Sequence, residues 1–295
     1  MIRKSTGEKI FQVVNIMFML MIIAAILFPL LHIFSISVSE SSAVTTLKVG
    51  LLPIGFNLVA YKKIIGTNLF QRSLFNTVLV TFVGTVLSVI VITMLAYALS
   101  RRYFFGKKFV TYYLVITMYF SGGLIPTYIL ITNYLNLENT YLAYILPSLV
   151  SVFYVIVVKS QIEAVPSDLV DSGAIDGAGE FRILFNIIIP VITPTIAAVS
   201  MFLALGRWNM WFPVLLYASK KTMWTLQYYL RSIVFEKSLI EQTVLTAGEN
   251  IEADIIPPQN YQMASIIVVA LPVVCIYPFI QKYFVKGILA GSVKG

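Results

Sequence analysis

Charge is what this chain has least of. Of its 295 residues only 12% are Asp, Glu, Lys or Arg, against about 25% in a soluble domain. Hydrophobic residues make up 59% and the mean hydropathy is +0.88. A chain so poor in charge cannot cover a water-facing surface, which excludes an ordinary soluble fold and makes this a polytopic membrane protein. Cysteine occurs once, at Cys275, so no disulfide forms within the chain and no CxxC pair exists; its apolar run suits an inert core thiol. Histidine also occurs once, at His32, which excludes HExxH zinc chemistry and reads as an interfacial or packing residue. Neither GxxxxGK[ST] nor GxSxG is present, so there is no phosphate loop and no nucleophile elbow. The first apolar run is longer than a signal h-region and lacks a small-residue cleavage site, so no cleavable signal peptide is expected.

What is there in abundance is apolar sequence in runs near the roughly 20 residues a bilayer requires. Six spans can be drawn, at Phe11–Ile36, Leu74–Leu99, Phe109–Thr132, Tyr141–Val158, Val191–Tyr217 and Tyr261–Tyr283. The fold class is therefore all-α, a single transmembrane domain over 11–295 behind a short N-terminus, 1–10. None of the spans contains Asp or Glu, which argues against a proton relay or a carboxylate cation site. The net charge of +8 needs no nucleic-acid partner, because membrane proteins keep Lys and Arg on their cytoplasmic flanks. Arg3, Lys4 and Lys9 precede the first span, and Arg101, Arg102, Lys107 and Lys108 follow the second, whereas 133–140 has no Lys or Arg. That places both termini and the 101–108 loop in the cytoplasm, and the longer loops 37–72 and 219–260 outside.

Between the fourth and fifth spans lies a polar island, Glu163–Pro190, holding five of the chain's thirteen acidic residues: Glu163, Asp168, Asp171, Asp176 and Glu180. Pro166-Ser167 is a helix-start signal, the Ser side chain being able to accept from an orphan N–H of the first turn. Asp168 and Asp171 suit the positive end of the helix dipole. Asp176-Gly177 ends that helix, since Gly tolerates positive φ. A second helical turn follows, with Phe181, Leu184, Phe185 and Ile188 on one face. An ordinary connector would not combine an aromatic face with Gly173, Ala174, Gly177, Ala178 and Gly179, which let another surface approach closely. The island reads as a docking site. Deep in the fifth span stands the one membrane-depth charge, Arg207, which either snorkels outward, bonds to backbone carbonyls, or faces a substrate path together with Trp208, Asn209 and Trp211, where it could hold a uronate carboxylate. Beside it, Trp208, Asn209 and Trp211 put an amide between two indoles, which is costly in a span unless the amide meets a partner. In the second outer loop, Trp224, Tyr228 and Tyr229 are either interface anchors or membrane-belt aromatics.

The island resembles the EAA loop of the permease subunits of bacterial ATP-binding-cassette (ABC) importers. Asp171-Ser172-Gly173 stands where Glu-Ala-Ala is usual, Ile175-Asp176-Gly177-Ala178 matches the IDGA that follows, and Phe181, Phe185, Ile187 and Pro190 complete it. Trp208-Asn209-Met210-Trp211-Phe212, Tyr283-Phe284-Val285-Lys286-Gly287 and the end Gly291-Ser292-Val293-Lys294-Gly295 are similar to the carbohydrate-importer branch, and to the smaller, six-span partner of a maltose-type pair.

This resemblance implies an all-α type I importer fold that pairs with a second permease subunit and opens alternately to each side. It implies a non-catalytic subunit that binds no cofactor, with ATP and Mg on a separate cytoplasmic ATPase dimer. Asp171, Gly173, Ala174, Asp176, Gly177, Ala178, Glu180 and Phe181 would couple to that ATPase. The tail 284–295, through Gly291, Ser292, Val293 and Lys294, would reach between its subunits. The outer loops would meet an extracytoplasmic solute-binding protein, and the substrate class is an oligosaccharide, uronate-containing in some members of the branch. The competing readings are the same architecture carrying amino acids, peptides or anions, an ion-driven secondary transporter, and a membrane-embedded enzyme.

Overall fold

The computed structural model describes residues 6–235 and 259–275, which are helices and connectors with no strand among them. The elements are α1 (Thr6–Val38), α2 (Ser41–Thr45), α3 (Val59–Gly66), α4 (Asn68–Ser100), α5 (Lys107–Tyr119), α6 (Leu124–Ile129), α7 (Leu142–Ile145), α8 (Val152–Glu163), α9 (Ser167–Ile175), α10 (Glu180–Ile183), α11 (Ile189–Trp208) and α12 (Phe212–Tyr217). They are followed by α13 (226–235) and α14 (Gln259–Cys275). The tail residues Gly291, Ser292, Val293 and Lys294, most of the 219–260 loop beyond 235, and the end of the sixth span lie outside the described residues.

Three of the six spans are continuous rods: Gly7–Val38, Asn68–Ser100 and Glu180–Trp208. The other described spans depart from the sequence reading. The third is broken between Tyr119 and Leu124 with a bend of 110°. Ser121-Gly122-Gly123 occupies the break, and Gly123, the residue before α6, takes a φ of +89°, which glycine adopts without the Cβ clash of other residues. The fourth bends by 51° between Ser148 and Val152, just past Pro147. The fifth begins earlier than expected, at Glu180, and its helix ends at Trp208, with α12 a separate element. A π-helical turn, Leu184–Ile188, joins α10 to α11, immediately before Pro190. Its extra residue per turn splits the expected apolar face. Leu184 and Ile188 are buried, while Phe181 and Phe185 point outward.

By contacts the described residues divide into two compact units, 6–67 with 230–235 and 259–271, and 68–229 with 272–275. In the first, the end of α1 is stitched to the loop that follows it. Ser35 Oγ donates to the Leu51 carbonyl, and His32 Nδ1 lies 2.9 Å from the Gly50 carbonyl. Asn260 of α14 donates through Nδ2 to the carbonyls of Ile36 and Ser39, both at 2.9 Å. The rest of α1 is apolar on all sides, and its large side chains between Ile10 and Leu31 are exposed.

In the second unit, α4 packs against α8 and α11. Ile92, Ala96 and Leu99 meet Val155, Val158, Ile188, Ile192 and Val199 in one core. Polar residues on α4 tie down other segments. Asn76 Nδ2 donates to the carbonyls of Thr222 and Trp224, at 2.8 and 2.9 Å, and Thr77 Oγ1 accepts from the Leu226 N–H at 2.8 Å. The start of α4 therefore holds the loop that leads into α13.

Candidate functional site

The polar island folds as two helices around one glycine. The first, α9, starts after Pro166, whose ψ of 130° is extended, and no side chain caps it. Ser167 is thus already inside the helix rather than its cap. The far end closes by a Schellman arrangement: the Gly177 N–H reaches the Ala174 carbonyl at 3.1 Å, and the Ala178 N–H reaches the Gly173 carbonyl at 3.0 Å. Gly177 holds a φ of +77° with nothing within 4 Å of where a Cβ would stand. Its conformation requires glycine, and the space around it is open to an incoming surface. Gly173 plays a different part. A Cβ there would fall 2.6 Å from Ile187 Cδ1, so its bareness lets α9 lie close against the π turn.

Within the island, Asp171, Ala174, Asp176 and Glu180 are exposed and Ala178 is half-buried. Two large apolar side chains stand in the open as well, Ile175 at 86% and Phe181 at 68% exposure. A folded polar segment that displays apolar side chains beside small residues has the composition of an interaction surface.

The ends of the island are tied to the basic loop after α4. Arg101 grips Glu180 with two nitrogens, Nε to Oε2 at 3.1 Å and Nη2 to Oε1 at 3.2 Å. Tyr97 donates its hydroxyl to the same carboxylate and lies under the guanidinium, 5.1 Å from ring centre to Cζ. At the other end Glu163 takes Lys107 at 3.1 Å and Lys159 at 2.8 Å. The island is therefore tied through Glu180 and Glu163 to the 97–107 region, at the end of α4 and the start of α5. Lys159 and Glu163 are a local i,i+4 pair, but the partners Lys107, Arg101 and Tyr97 lie 56 to 83 positions away, and no local pattern names them.

Reversing Arg101→Glu should release the second end. Exposed pairs of this kind are worth roughly 0.2–1 kcal/mol, so amide exchange over 179–184 should rise by a factor of about two to five. Adding Glu180→Arg should bring it back, as read by hydrogen–deuterium exchange. A double variant that exchanges as fast as Arg101→Glu alone would show that the ion pair is not the tie.

Arg207 is placed differently from the open-cavity reading. It sits in the last turn of α11, is only 3% exposed, and Nη2 donates to Ser88 Oγ at 2.6 Å and to the Ser148 carbonyl at 3.0 Å. Ser88 passes a hydrogen bond on to the Leu149 carbonyl at 2.6 Å. Both carbonyls belong to the bend of the fourth span, where the helix no longer satisfies them. The guanidinium thus caps a broken span from a neighbouring helix. Gly84 makes the seat: a Cβ there would lie 2.5 Å from Arg207 Nε. Ser88 is twelve residues from the end of α4, about 18 Å along the rod.

The flanking residues separate into two groups. Trp208 is buried, whereas Asn209 is exposed and accepts from Gln227 Nε2 at 3.1 Å. Trp211 is half-buried, edge-on to Phe212. Gln227 was not visible as a candidate, because nothing local links it to Asn209 eighteen positions away. In the outer loop, Trp224 and Tyr228 are half-buried and meet edge to face at 4.9 Å, while Tyr229 is buried against Phe70. Tyr229 is a packing residue in this conformation, so only Trp224 and Tyr228 keep a face to offer.

No family model matches the chain. Over 98% of its length it is 36% identical to the polygalacturonan/rhamnogalacturonan transport system permease protein YtcP of Bacillus subtilis (strain 168), 99% of which is covered. It is 34% identical to Protein LplC of the same organism, over 97% of this chain and 96% of that one. Among solved structures, a chain of a bacterial ABC transporter involved in the import of the acidic polysaccharide alginate superposes with a TM-score of 0.86 at 28% identity, covering 96% of this chain and all of its own. With relatives of this identity along nearly its whole length and the same helical fold, the chain belongs to the carbohydrate-type family of permease subunits of bacterial ABC importers, a transport subunit and not an enzyme.

Proposed function

We propose that this permease forms half of the translocation pathway of a binding-protein-dependent importer of acidic oligosaccharides, and that its 163–190 island docks a separate cytoplasmic ATPase dimer. The observation that carries the docking is the exposure of Ile175 beside the open Gly177 turn, on a helix–turn–helix tied by ion pairs at Glu163 and Glu180. A rigid clamp of this kind lets closure of the ATPase become a rigid-body rotation of the permease, the two states being biased by their different contacts. ATP and Mg belong to the ATPase, and this chain holds no cofactor of its own. Both termini, the island and the 101–108 loop face the cytoplasm. The tail contact through Gly291, Ser292, Val293 and Lys294 belongs to the same docking.

A second permease subunit completes the pathway, and the bare flank of α1 is one surface for it or for lipid. Outside, Trp224 and Tyr228 offer aromatic faces to a solute-binding protein. Along the path, the exposed Asn209–Gln227 amide pair beside Trp211 suits a hydroxyl-rich sugar, with the ring for stacking and the amides for hydrogen bonds. Acidic substrates are favoured because polygalacturonan is a chain of uronates and alginate is named acidic. The arabinooligosaccharide permease AraQ is less similar, at 27% identity.

The test is uptake into proteoliposomes holding the assembled importer. Galacturonate oligosaccharides should enter only with ATP and at least tenfold faster than arabinose oligosaccharides. Equal rates would remove the acidic-substrate reading, and uptake independent of ATP would remove the ATPase.

A further inference from the structure

Where α4 ends, the structure leaves a cavity of about 410 Å³ between α4 and α10. Its walls include Met94, Ala98, Phe104, Phe181 and Leu184, with the Arg101–Glu180 pair and Tyr97 on one side. The volume lies within the range of sites that hold a small amphiphile. The loop that lends Arg101, Tyr103 and Phe104 to this lining is of another character. Arg102 and Lys108 are exposed and make no ion pair or hydrogen bond among the described residues. Between them Tyr103 and Phe105 are 98% and 100% exposed. Aromatic side chains standing free among cations at the end of a span are the composition of a headgroup interface, where the rings sit at the membrane boundary and the cations meet phosphate.

We propose that this is a site for an anionic phospholipid, with an acyl chain in the cavity between α4 and α10 and the headgroup held by Arg102 and Lys108. Charge complementarity chooses the occupant. A neutral lipid would fill the cavity but leave both cations unanswered. An apolar protein side chain would fill it and leave the same two cations unanswered. Because Arg101, Glu180 and Phe181 form part of the lining, a lipid seated there touches the clamp that holds the island. The lipid composition of that leaflet then bears on how tightly α10 is held to α4. Lipid binding itself does not depend on which solute is carried or on which ATPase docks.

The experiment uses the full chain, purified in mild detergent, with spin-labelled phosphatidylglycerol and phosphatidylcholine as probes. The wild-type chain should retain phosphatidylglycerol in preference. Each of Arg102→Gln and Lys108→Gln should lower that preference about five-fold, with helical content and monodispersity unchanged. Ala98→Phe, which fills the cavity, should reduce retention of the lipid while leaving both cations in place. Equal retention of the two lipids by the wild-type chain would overturn the proposal, as would an unchanged preference in the double variant Arg102→Gln/Lys108→Gln. Either result would hand this surface to a protein partner.

Discussion

Arg207→Met should yield little folded permease, and what survives should lose uptake of acidic and neutral oligosaccharides to the same degree. The guanidinium joins α11 to Ser88 of α4 and to the Ser148 carbonyl at the bend of the fourth span. Removing it leaves that carbonyl without a donor, and an unsatisfied buried polar group costs about 1–3 kcal/mol. In hydrocarbon no water replaces the lost bond. Gly84→Leu should reproduce the defect from the other side, because even a Cβ at Gly84 meets Arg207 Nε at 2.5 Å and Cδ at 2.8 Å, so the guanidinium and its stem must shift. The check is the yield of monodisperse protein and the thermal midpoint in detergent, together with uptake of galacturonate and neutral oligosaccharides. Normal yield with selective loss of the acidic substrate would return Arg207 to the translocation path.

Gly177→Val should leave insertion and assembly intact while uptake per assembled complex falls by tenfold or more. Two costs add at this position. Holding a non-glycine residue in the left-handed region costs roughly 1–2 kcal/mol, and a β-branched residue pays most. The Schellman bonds from Gly177 and Ala178 back to Ala174 and Gly173 are set by that dihedral, so relaxing it turns α10 relative to α9. The surroundings of Gly177 are open in the single chain, so the added side chain obstructs nothing within the permease. It obstructs only what docks there. Gly177→Ala, with the smaller side chain and the same dihedral problem, should fall between the two.

Gly177 was legible in the sequence because its signal is local: one glycine after Asp176 at the end of a short polar helix. The six apolar runs were legible for the same reason, since length and hydropathy are sums over neighbours. The break of the third span was also written locally, in Ser121-Gly122-Gly123, but average hydropathy over a run hides three small residues. Arg207 was recognised as a charge at depth, yet its partners Ser88 and Ser148 lie 119 and 59 positions away. No periodicity connects a guanidinium to carbonyls freed by a bend in a different span. The clamp of Glu163 and Glu180 by Lys107 and Arg101 was hidden likewise. The acidic island and the basic loop were each visible, and their pairing is a property of how α4, α5 and α8 pack. Tyr229 shows the opposite failure. Its neighbours Trp224 and Tyr228 made it look like part of an aromatic patch, while the helical turn carries it inward against Phe70.

That the island transmits work from the ATPase is tested most directly by the stoichiometry of the assembled importer. Substrate accumulated and ATP hydrolysed are measured in the same proteoliposomes, for wild type and for Gly177→Val at matched complex content. If the island is the coupling element, the ratio of sugar imported to ATP consumed falls at least tenfold in Gly177→Val, or stimulated hydrolysis disappears because the ATPase no longer docks. An unchanged ratio at the wild-type uptake rate would contradict the coupling role.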